Sequence, residues 1–186
     1  GFAVGTETWG SIVSPCTRCG VTGLRPTFGR VSRHGVMALS WTMDKVGPIA
    51  RSAEDCGLVF SALAGKDALD PYSVDGPPAW PPRRGLSDLT IGFVEELFEE
   101  ERGKNAKTDE EKARAAEWRQ LDRRSLDILR QLGARLVPVK LPARTPVGPL
   151  SFILTAEAAT AFDALVRDGR VKSMVRQTAD AWPNVF

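Results

Sequence analysis

The stretch that most constrains the interpretation of this chain is Gly5-Thr6-Glu7-Thr8-Trp9-Gly10-Ser11-Ile12-Val13-Ser14-Pro15. A serine follows a run of small residues, and Pro15 interrupts the chain soon afterwards. Such a run lets the backbone bend sharply and present consecutive N–H groups to one point. Acyl transfer needs a hydroxyl beside converging N–H donors, because the hydroxyl attacks and the donors stabilise the oxyanion. On these residues alone, an ordinary turn is the competing interpretation.

Two further motifs follow in order and carry a family resemblance. They are Cys19-Gly20-Val21-Thr22-Gly23-Leu24-Arg25-Pro26-Thr27-Phe28-Gly29-Arg30-Val31-Ser32 and Asp44-Lys45-Val46-Gly47-Pro48-Ile49-Ala50-Arg51. With the stretch 5–15, they resemble the amidase signature family. Its pattern reads G-S-D-T-G-G-S-I-R-x-P-A, then C-G-x-x-G-L-K-P-T-x-G-R-V-S, then D-x-x-G-P-(I or L)-A-R-x-x-x-D. The resemblance is dense over residues 4–71 and looser beyond them.

The resemblance implies a role for each residue of the first motif. Ser11 corresponds to the acyl-enzyme nucleophile of a Ser–cis-Ser–Lys triad. The backbone N–H groups of Thr8, Trp9, Gly10 and Ser11 correspond to the oxyanion hole, and Glu7 corresponds to a supporting carboxylate. The implied activity is hydrolysis of the C–N bond of linear amides.

The motif departs from the family pattern at three positions. Glu7 replaces an aspartate and keeps the carboxylate. Trp9 replaces a glycine, so its indole is expected to narrow the pocket or to require a negative φ. Val13 replaces an arginine, which removes a candidate partner for Glu7.

The other two triad members of the family lie upstream of the nucleophile. No lysine and no other serine precedes Ser11 in this chain. The resemblance therefore implies an internal fragment that begins after the lysine and the cis-serine, and the isolated piece is expected to be inactive.

The only histidine and the three cysteines support alternative chemistries. His34 is the only candidate base for a Ser-His-Asp triad, but its polar, Gly-ended surroundings are typical of a surface turn. Cys16 and Cys19 have the spacing of redox pairs, and with His34 and Cys56 they reach the ligand count of a structural zinc site. The favoured interpretation is small buried side chains in a reducing compartment, with no metal and no cofactor.

Composition excludes several function classes. The chain has 186 residues, 25 basic and 23 acidic, and a formal net charge of +2. This balance predicts neither a nucleic-acid stripe nor a membrane-surface patch. No apolar run is long enough to span a bilayer. We expect a cytoplasmic protein that acts on a small-molecule amide, with partner subunits only if the enzyme is linked to tRNA.

The fold class predicted is α/β, with helices on both faces of a mixed, largely parallel sheet. Residues 1–186 are expected to form one partial amidase domain. Its parts are a signature core with the nucleophile at 1–71, a connection at 72–88, and a βαβ unit with further helices at 89–186.

Local signals predict most element boundaries. Ser52 caps a helix that ends at Gly65, and a capping box between Thr108 and Glu111 begins a longer helix that ends at Gly133. The remaining predicted elements are parallel strands over 89–94 and 134–142, a charged loop over 95–107, and a helix over 151–167. One face of the long helix is expected to pack: Trp118, Leu121, Ser125, Ile128, Leu129 and Leu132.

Several residues of the core motifs permit two interpretations. Asp44 and Arg51 form either a buried pair near the site or ordinary loop charges. Trp41 either lines an acyl pocket or packs in the core, and the second is favoured. Tight turns are expected at Gly20, Gly23 and Gly29.

Three functions stay open from the sequence. Hydrolysis by a general amidase is favoured over the glutamine-hydrolysing A subunit of glutamyl-tRNA(Gln) amidotransferase, because Trp9 and Val13 depart from the pattern. The third, of another class, is an inactive fragment or a non-catalytic scaffold.

Overall fold

The computed structural model describes residues 1–76, 85–99, 105–142 and 147–181. The chain forms two compact units, one of Gly1–Pro81 with Pro146–Phe186 and one of Pro82–Thr145. The predicted connection at 72–88 and the predicted loop at 95–107 both fall partly outside the described residues.

The first unit contains a three-stranded antiparallel sheet. Strand β3 (Lys45–Ala50) lies in the centre, between β1 (Ala3–Glu7) and β2 (Thr22–Gly23). Glu7 lies opposite Lys45 in the register, so both side chains lie on one face of the sheet. The prediction of a largely parallel sheet is wrong for these strands. The larger mixed sheet that the resemblance implies for a complete protein stays a prediction.

Helix α1 (Val13–Cys19) packs against glycines of this sheet. A Cβ atom at Gly47 would lie 2.2 Å from the carbonyl oxygen of Leu24, and one at Gly23 would lie 2.5 Å from Cys16 Sγ. These two glycines therefore permit close packing of α1 and its neighbouring loop.

The predicted turn glycines divide into two groups. Gly20 and Gly29 have φ values of +63° and +82°, which confirms the turns predicted there. Gly23 lies in β2 and has no positive φ, so the turn predicted at this glycine is wrong.

Helix α2 (Ala53–Leu63) confirms the helix predicted after Ser52. The Ser52 hydroxyl accepts a hydrogen bond from the Asp55 N–H at 3.0 Å, which satisfies a donor of the first turn. Phe60 of this helix packs with Val31 and Val46 in the buried core of the unit.

The second unit confirms the predicted βαβ arrangement. It contains a short 3₁₀ helix (Leu86–Asp88), β4 (Thr90–Phe93), α3 (Glu95–Glu99), α4 (Asp109–Gln131) and β5 (Arg135–Pro138). Strands β4 and β5 are parallel, and they are the parallel pair among the described strands. Helix α3 corrects the loop that was predicted over its residues.

The ends of α4 are those that the sequence predicts. Thr108 Oγ1 accepts from the Glu111 N–H, and Glu111 Oε2 accepts from the Thr108 N–H, both at 3.1 Å. Gly133 follows the helix with a φ of +90°, as a glycine at the C′ position does.

The predicted buried face of α4 is wrong. Ala115 and Leu126 are the buried residues of the helix, whereas Trp118 is 50% exposed. The two strands beside this 23-residue helix have four residues each. Such a small sheet covers only part of the helix, so the larger apolar side chains stay exposed.

The helix predicted over 151–167 is two helices, α5 (Gly148–Ala161) and α6 (Asp163–Arg167), followed by a 3₁₀ helix (Arg170–Ser173). The apolar side of this segment was expected to be buried, but the structure buries other residues. Phe152 is 76% exposed, whereas Glu157 and Ala158 are buried.

Candidate active site

The Glu7 carboxylate organises the start of the site. Glu7 is fully buried, and its Oε2 accepts from the N–H groups of Ile12 and Val13 at 2.8 and 2.9 Å. Its Oε1 accepts from Arg25 Nη1 at 3.0 Å. Val13 cannot supply the partner that the family's arginine would offer, and Arg25 pairs with Glu7 in this chain.

These contacts keep Glu7 ionised. Burial works to raise the pKa of Glu7, but the hydrogen bonds from Val13, Ile12 and Arg25 outweigh it and hold that pKa below its ordinary value. A buried charge with three donors is a rigid attachment. It ties the end of β1 to the start of α1, and residues 8–12 form the bend between them.

Asp44 holds the same bend from the other motif. Asp44 is buried, and its Oδ1 accepts from Thr8 Oγ1 at 2.5 Å. Its Oδ2 accepts from the N–H groups of Leu39 and Ser40 at 2.8 and 3.0 Å. A buried pair between Asp44 and Arg51 is not formed, because Arg51 is exposed and its side chain bonds to none of the described residues.

The backbone donors of the bend are unsatisfied in the described part of the chain. The N–H groups of Thr8, Trp9, Gly10 and Ser11 make no hydrogen bond to the described residues. Trp9 has no positive φ, so the tryptophan adopts an ordinary backbone conformation where the family pattern has glycine. The bend therefore offers free donors of the kind that stabilise an oxyanion.

Ser11 lies at the wall of a cavity of about 490 Å³. The serine is exposed, and its hydroxyl makes no hydrogen bond within the described ranges. The cavity is lined by Thr6, Thr8, Ser11, Arg33, His34, Val36, Met37, Ala38, Leu39, Trp41, Asp44, Lys45, Val46, Leu69, Asp70, Pro71, Tyr72, Phe162 and Met174.

Trp41 and His34 also lie at this cavity. Trp41 lines it and is 38% exposed, so the prediction that Trp41 packs in the core is wrong. His34 is exposed and lines it too. Its side chain makes no hydrogen bond to Ser11, and so the geometry shows no Ser-His pair.

An ion pair that the sequence does not predict also lines the Ser11 cavity. Arg33 Nε lies 3.4 Å from Asp70 Oδ2, and both side chains are nearly buried. The Arg33 guanidinium lies 4.4 Å from the centroid of the Phe28 ring and 5.4 Å from that of Tyr72, within the range of cation–π attraction. Arg33 and Asp70 are 37 residues apart, and no local pattern links them.

Glu157 also contributes to this region, from a distant part of the chain. Its Oε2 accepts from Ser40 Oγ at 2.5 Å and from the Thr42 N–H at 3.1 Å, and its Oε1 accepts from Thr42 Oγ1 at 2.7 Å. These bonds fix α5 to the loop that carries Trp41 and precedes Asp44. An acid within an alanine-rich helix is the one signal that pointed to this position.

Lys45 lies beside the bend. Its Nζ donates to the carbonyl oxygen of Thr8 at 3.2 Å and to that of Met43. Burial, and then the positive charge of Arg25, lower the pKa of Lys45 below its ordinary value. The ammonium is therefore attached to the backbone that follows β1.

The cysteines do not converge with other ligands. Cys16 and Cys56 are buried and Cys19 is exposed. Within the described residues, no three histidine, cysteine or acidic side chains could together hold a metal ion. Among the described helices, none combines the length and the apolar character that crossing a membrane requires.

An exposed serine beside free backbone donors at a cavity wall is the arrangement of serine-dependent acyl-transfer sites. The chain belongs to the amidase family, whose family model matches residues 1–184.

Relatives of known sequence lead to the same family. The A subunit of glutamyl-tRNA(Gln) amidotransferase from Trichlorobacter lovleyi is 38% identical over 161 residues, which are 84% of this chain and 31% of that protein. Its counterpart from Nitrosospira multiformis is 39% identical over 162 residues, 85% of this chain and 31% of that protein. The chain thus spans about a third of the length of the curated relatives that it matches.

Solved structures show the same fold. The A subunit of glutamyl-tRNA(Gln) amidotransferase from Thermotoga maritima matches with a TM-score of 0.69 and 27% identity, over 92% of this chain and 37% of that one. The native peptide amidase from Stenotrophomonas maltophilia matches with a TM-score of 0.65 and 30% identity, again over 92% of this chain and 37% of that one.

Proposed function

We propose that the protein hydrolyses the C–N bond of linear amides, with Ser11 as the acyl-enzyme nucleophile. The observation that carries this proposal is the position of Ser11. Its free hydroxyl lies at a cavity wall, directly after a bend whose N–H groups are unsatisfied in the described residues. Membership of the amidase family supports it.

The chemistry follows from these groups. Ser11 Oγ attacks the amide carbonyl, and the N–H groups of Thr8, Trp9, Gly10 and Ser11 stabilise the oxyanion. The tetrahedral intermediate collapses as its C–N bond breaks, so ammonia or an amine leaves and an ester to Ser11 remains. Water then hydrolyses the ester and restores the hydroxyl.

The proton from Ser11 needs an acceptor. In the Ser–cis-Ser–Lys mechanism it passes through the cis-serine to a neutral lysine, and on to the leaving amine. Neither residue type precedes Ser11 in this sequence. Lys45 is not a substitute, because its ammonium already donates to the carbonyl oxygens of Thr8 and Met43. We propose that the lysine and the cis-serine belong to a longer protein, of which residues 1–186 form part of one catalytic domain.

The proposal predicts that Ser11→Ala abolishes activity in the full-length protein. Labelling by a fluorophosphonate probe should disappear, and kcat for small aliphatic or aryl amides should fall by at least about 10³-fold. Ser14→Ala is the matched control, since Ser14 is an exposed serine three positions along the chain. Labelling that persists in Ser11→Ala would refute the nucleophile, and a wild-type protein without labelling or turnover would favour a non-catalytic scaffold.

The second candidate is glutamine hydrolysis as the A subunit of a tRNA-dependent amidotransferase. The 38–39% identity to the A subunits of Trichlorobacter lovleyi and Nitrosospira multiformis favours it. The departures at Trp9 and Val13 argue less strongly against it than the sequence alone indicates, because Arg25 pairs with Glu7 and Trp9 is absent from the described lining of the Ser11 cavity. Transamidation of glutamyl-tRNA after addition of partner subunits would establish this function. A cytoplasmic location stays a prediction under either function.

A further inference from the structure

A second cavity adjoins the residues of the bend. It measures about 440 Å³ and shares Thr8 and Lys45 with the Ser11 cavity. Ser11 is not among the residues described at its wall. The lining residues are Thr8, Trp9, Arg25, Pro26, Thr27, Phe28, Met43, Lys45 and Leu150. Two cationic side chains and no acidic side chain appear in this described lining, and so the wall itself is positive.

The Lys45 ammonium has donor capacity left for a ligand. It can donate three hydrogen bonds, and the two that it makes go to the carbonyl oxygens of Thr8 and Met43. Both acceptors belong to residues that line the second cavity, so the ammonium lies at its wall. No carboxylate of the described residues lies within ion-pair distance of Lys45 Nζ.

Arg25 has capacity left as well. Among the described residues, its guanidinium donates only to Glu7, through Nη1 at 3.0 Å. A guanidinium carries five N–H donors in a planar fork that suits two carboxylate oxygens at once. The side chain is 51% exposed, and so the remaining donors are accessible.

The carboxylates that balance the two cations lie outside the wall of the second cavity. Glu7 and Asp44 contribute two negative charges near the positive charges of Arg25 and Lys45, so the four groups are formally balanced. Neither carboxylate is among the described lining residues. Glu7 is buried against Arg25, and Asp44 accepts from Thr8 and two backbone N–H groups. Two neighbouring cations repel each other, and an anion bound between them would reduce that repulsion.

We propose that the second cavity binds a carboxylate group between the Arg25 guanidinium and the Lys45 ammonium. The Thr27 hydroxyl and the Trp9 indole N–H, which make no hydrogen bond within the described ranges, supply further donors at the wall. A carboxylate is favoured over phosphate because Glu7 and Asp44 already balance the two cations, so a second negative charge on the ligand would add repulsion. None of these groups is Ser11, so the site does not depend on the proposed hydrolysis.

The direct test is titration calorimetry of the full-length protein with sodium acetate, at constant ionic strength set with chloride. Wild type should show saturable binding, and inorganic phosphate should bind more weakly than acetate. Lys45→Met should weaken acetate binding by at least about tenfold, since charge-assisted hydrogen bonds are the strong ones. Lys172→Met is the matched control, because it removes the same charge from an exposed lysine outside the cavity.

Three results would overturn the proposal: no saturable acetate binding to wild type, equal binding to Lys45→Met, or tighter binding of phosphate. Circular dichroism checks that Lys45→Met is folded. Lys45→Arg, which keeps the charge, should retain binding if the cation itself is what the ligand contacts.

Two further measurements identify where the carboxylate comes from. If it belongs to an amide substrate, the monoamide of a dicarboxylic acid should be hydrolysed with a higher kcat/KM than the neutral amide of equal length, and Lys45→Met should remove the preference. If the ligand is a separate small acid, acetate should bind with the neutral amide present. Ser11→Ala should keep acetate binding in both cases, so loss of turnover and loss of this site are distinguishable.

Discussion

Helices α1 and α5 of the first compact unit and helix α4 of the second are held by different means. In the first unit, buried carboxylates accept hydrogen bonds from residues far along the chain: Asp44 bonds to Thr8, 36 residues away, and Glu157 bonds to Ser40, 117 residues away. In the second unit, α4 begins with a capping box between Thr108 and Glu111, three residues apart. The candidate active site lies in the unit whose polar groups depend on distant partners.

This difference affects what a mutation does. Removing a buried carboxylate leaves several distant donors unsatisfied and loosens more than one element. Removing a cap affects one turn. We therefore expect larger and more widespread effects in the first unit than in the second.

The largest effect is expected for Glu7→Gln. The change removes the charge that Arg25 pairs with and weakens the acceptor for the N–H groups of Ile12 and Val13. The free energy of unfolding should fall by about 3 kcal/mol, the low end of the range for a broken buried pair, because Arg25 is half exposed. Denaturant unfolding of the full-length protein measures it.

The matched control for this change is Glu54→Gln, an exposed acid in the first turn of α2. Hydrogen exchange should accelerate in β1 and α1 of Glu7→Gln and stay unchanged in the control. A loss below about 1 kcal/mol would contradict the structural role of Glu7.

Glu157→Gln should have the next largest effect. Glutamine keeps one acceptor oxygen but replaces the other with an amide that cannot accept from Ser40 or Thr42. We expect a loss of about 1–3 kcal/mol, with faster hydrogen exchange at residues 39–44. If hydrogen exchange became faster only in α5, Glu157 would not be what holds the loop at residues 39–44.

The stability of the folded state should depend on pH in the acidic range, because of buried carboxylates in the first unit. Burial works to raise the pKa values of Glu157 and Asp70, but their hydrogen bonds outweigh it and lower both below the ordinary values of 4.5 and 3.8. The folded state then binds these protons less readily than the unfolded state. Their contribution to stability is present above the ordinary values and is lost as the pH falls through the lowered ones.

Thermal melts of wild type should therefore show a Tm that falls as the pH drops below about 4.5. In Glu157→Gln the fall of Tm with decreasing pH should be shallower, because one of the carboxylates whose protonation destabilises the folded state has been removed. A parallel fall in both proteins would show that Glu157 is not among the groups responsible.

The smallest effect is expected for Thr108→Ala, in the second unit. The lost cap should cost about 1 kcal/mol, and hydrogen exchange should accelerate only in the first turn of α4. Thr108→Ser keeps the hydroxyl and serves as the control. An effect that extends to β4 or β5 would mean that the second unit is as interdependent as the first.

The sequence predicted the second unit better than the site. In the second unit, the cap at Thr108 and the turn at Gly133 follow from residue types within a few positions of each other, and the cap at Ser52 in the first unit is of the same local kind. The buried face of α4 was predicted wrongly, because periodicity identifies apolar residues but not which of them a small sheet covers.

Around the candidate site, the sequence identified residues without their partners. The motif singled out Ser11 and Glu7, and the resemblance supplied their roles. The pairing of Glu7 with Arg25, the burial of Glu157 and the position of Trp41 at the cavity were not predictable, since the partners come from separate parts of the chain.

The sequence by itself determined the family, the motif around Ser11 and the local caps, because each depends on residues that are neighbours along the chain. Only the tertiary structure decided the antiparallel sheet, the donors around the buried carboxylates and the cationic cavity beside the bend. These features depend on which distant groups meet. A buried charge accepts whichever donors the packed chain brings within reach, and spacing along the sequence does not encode that distance.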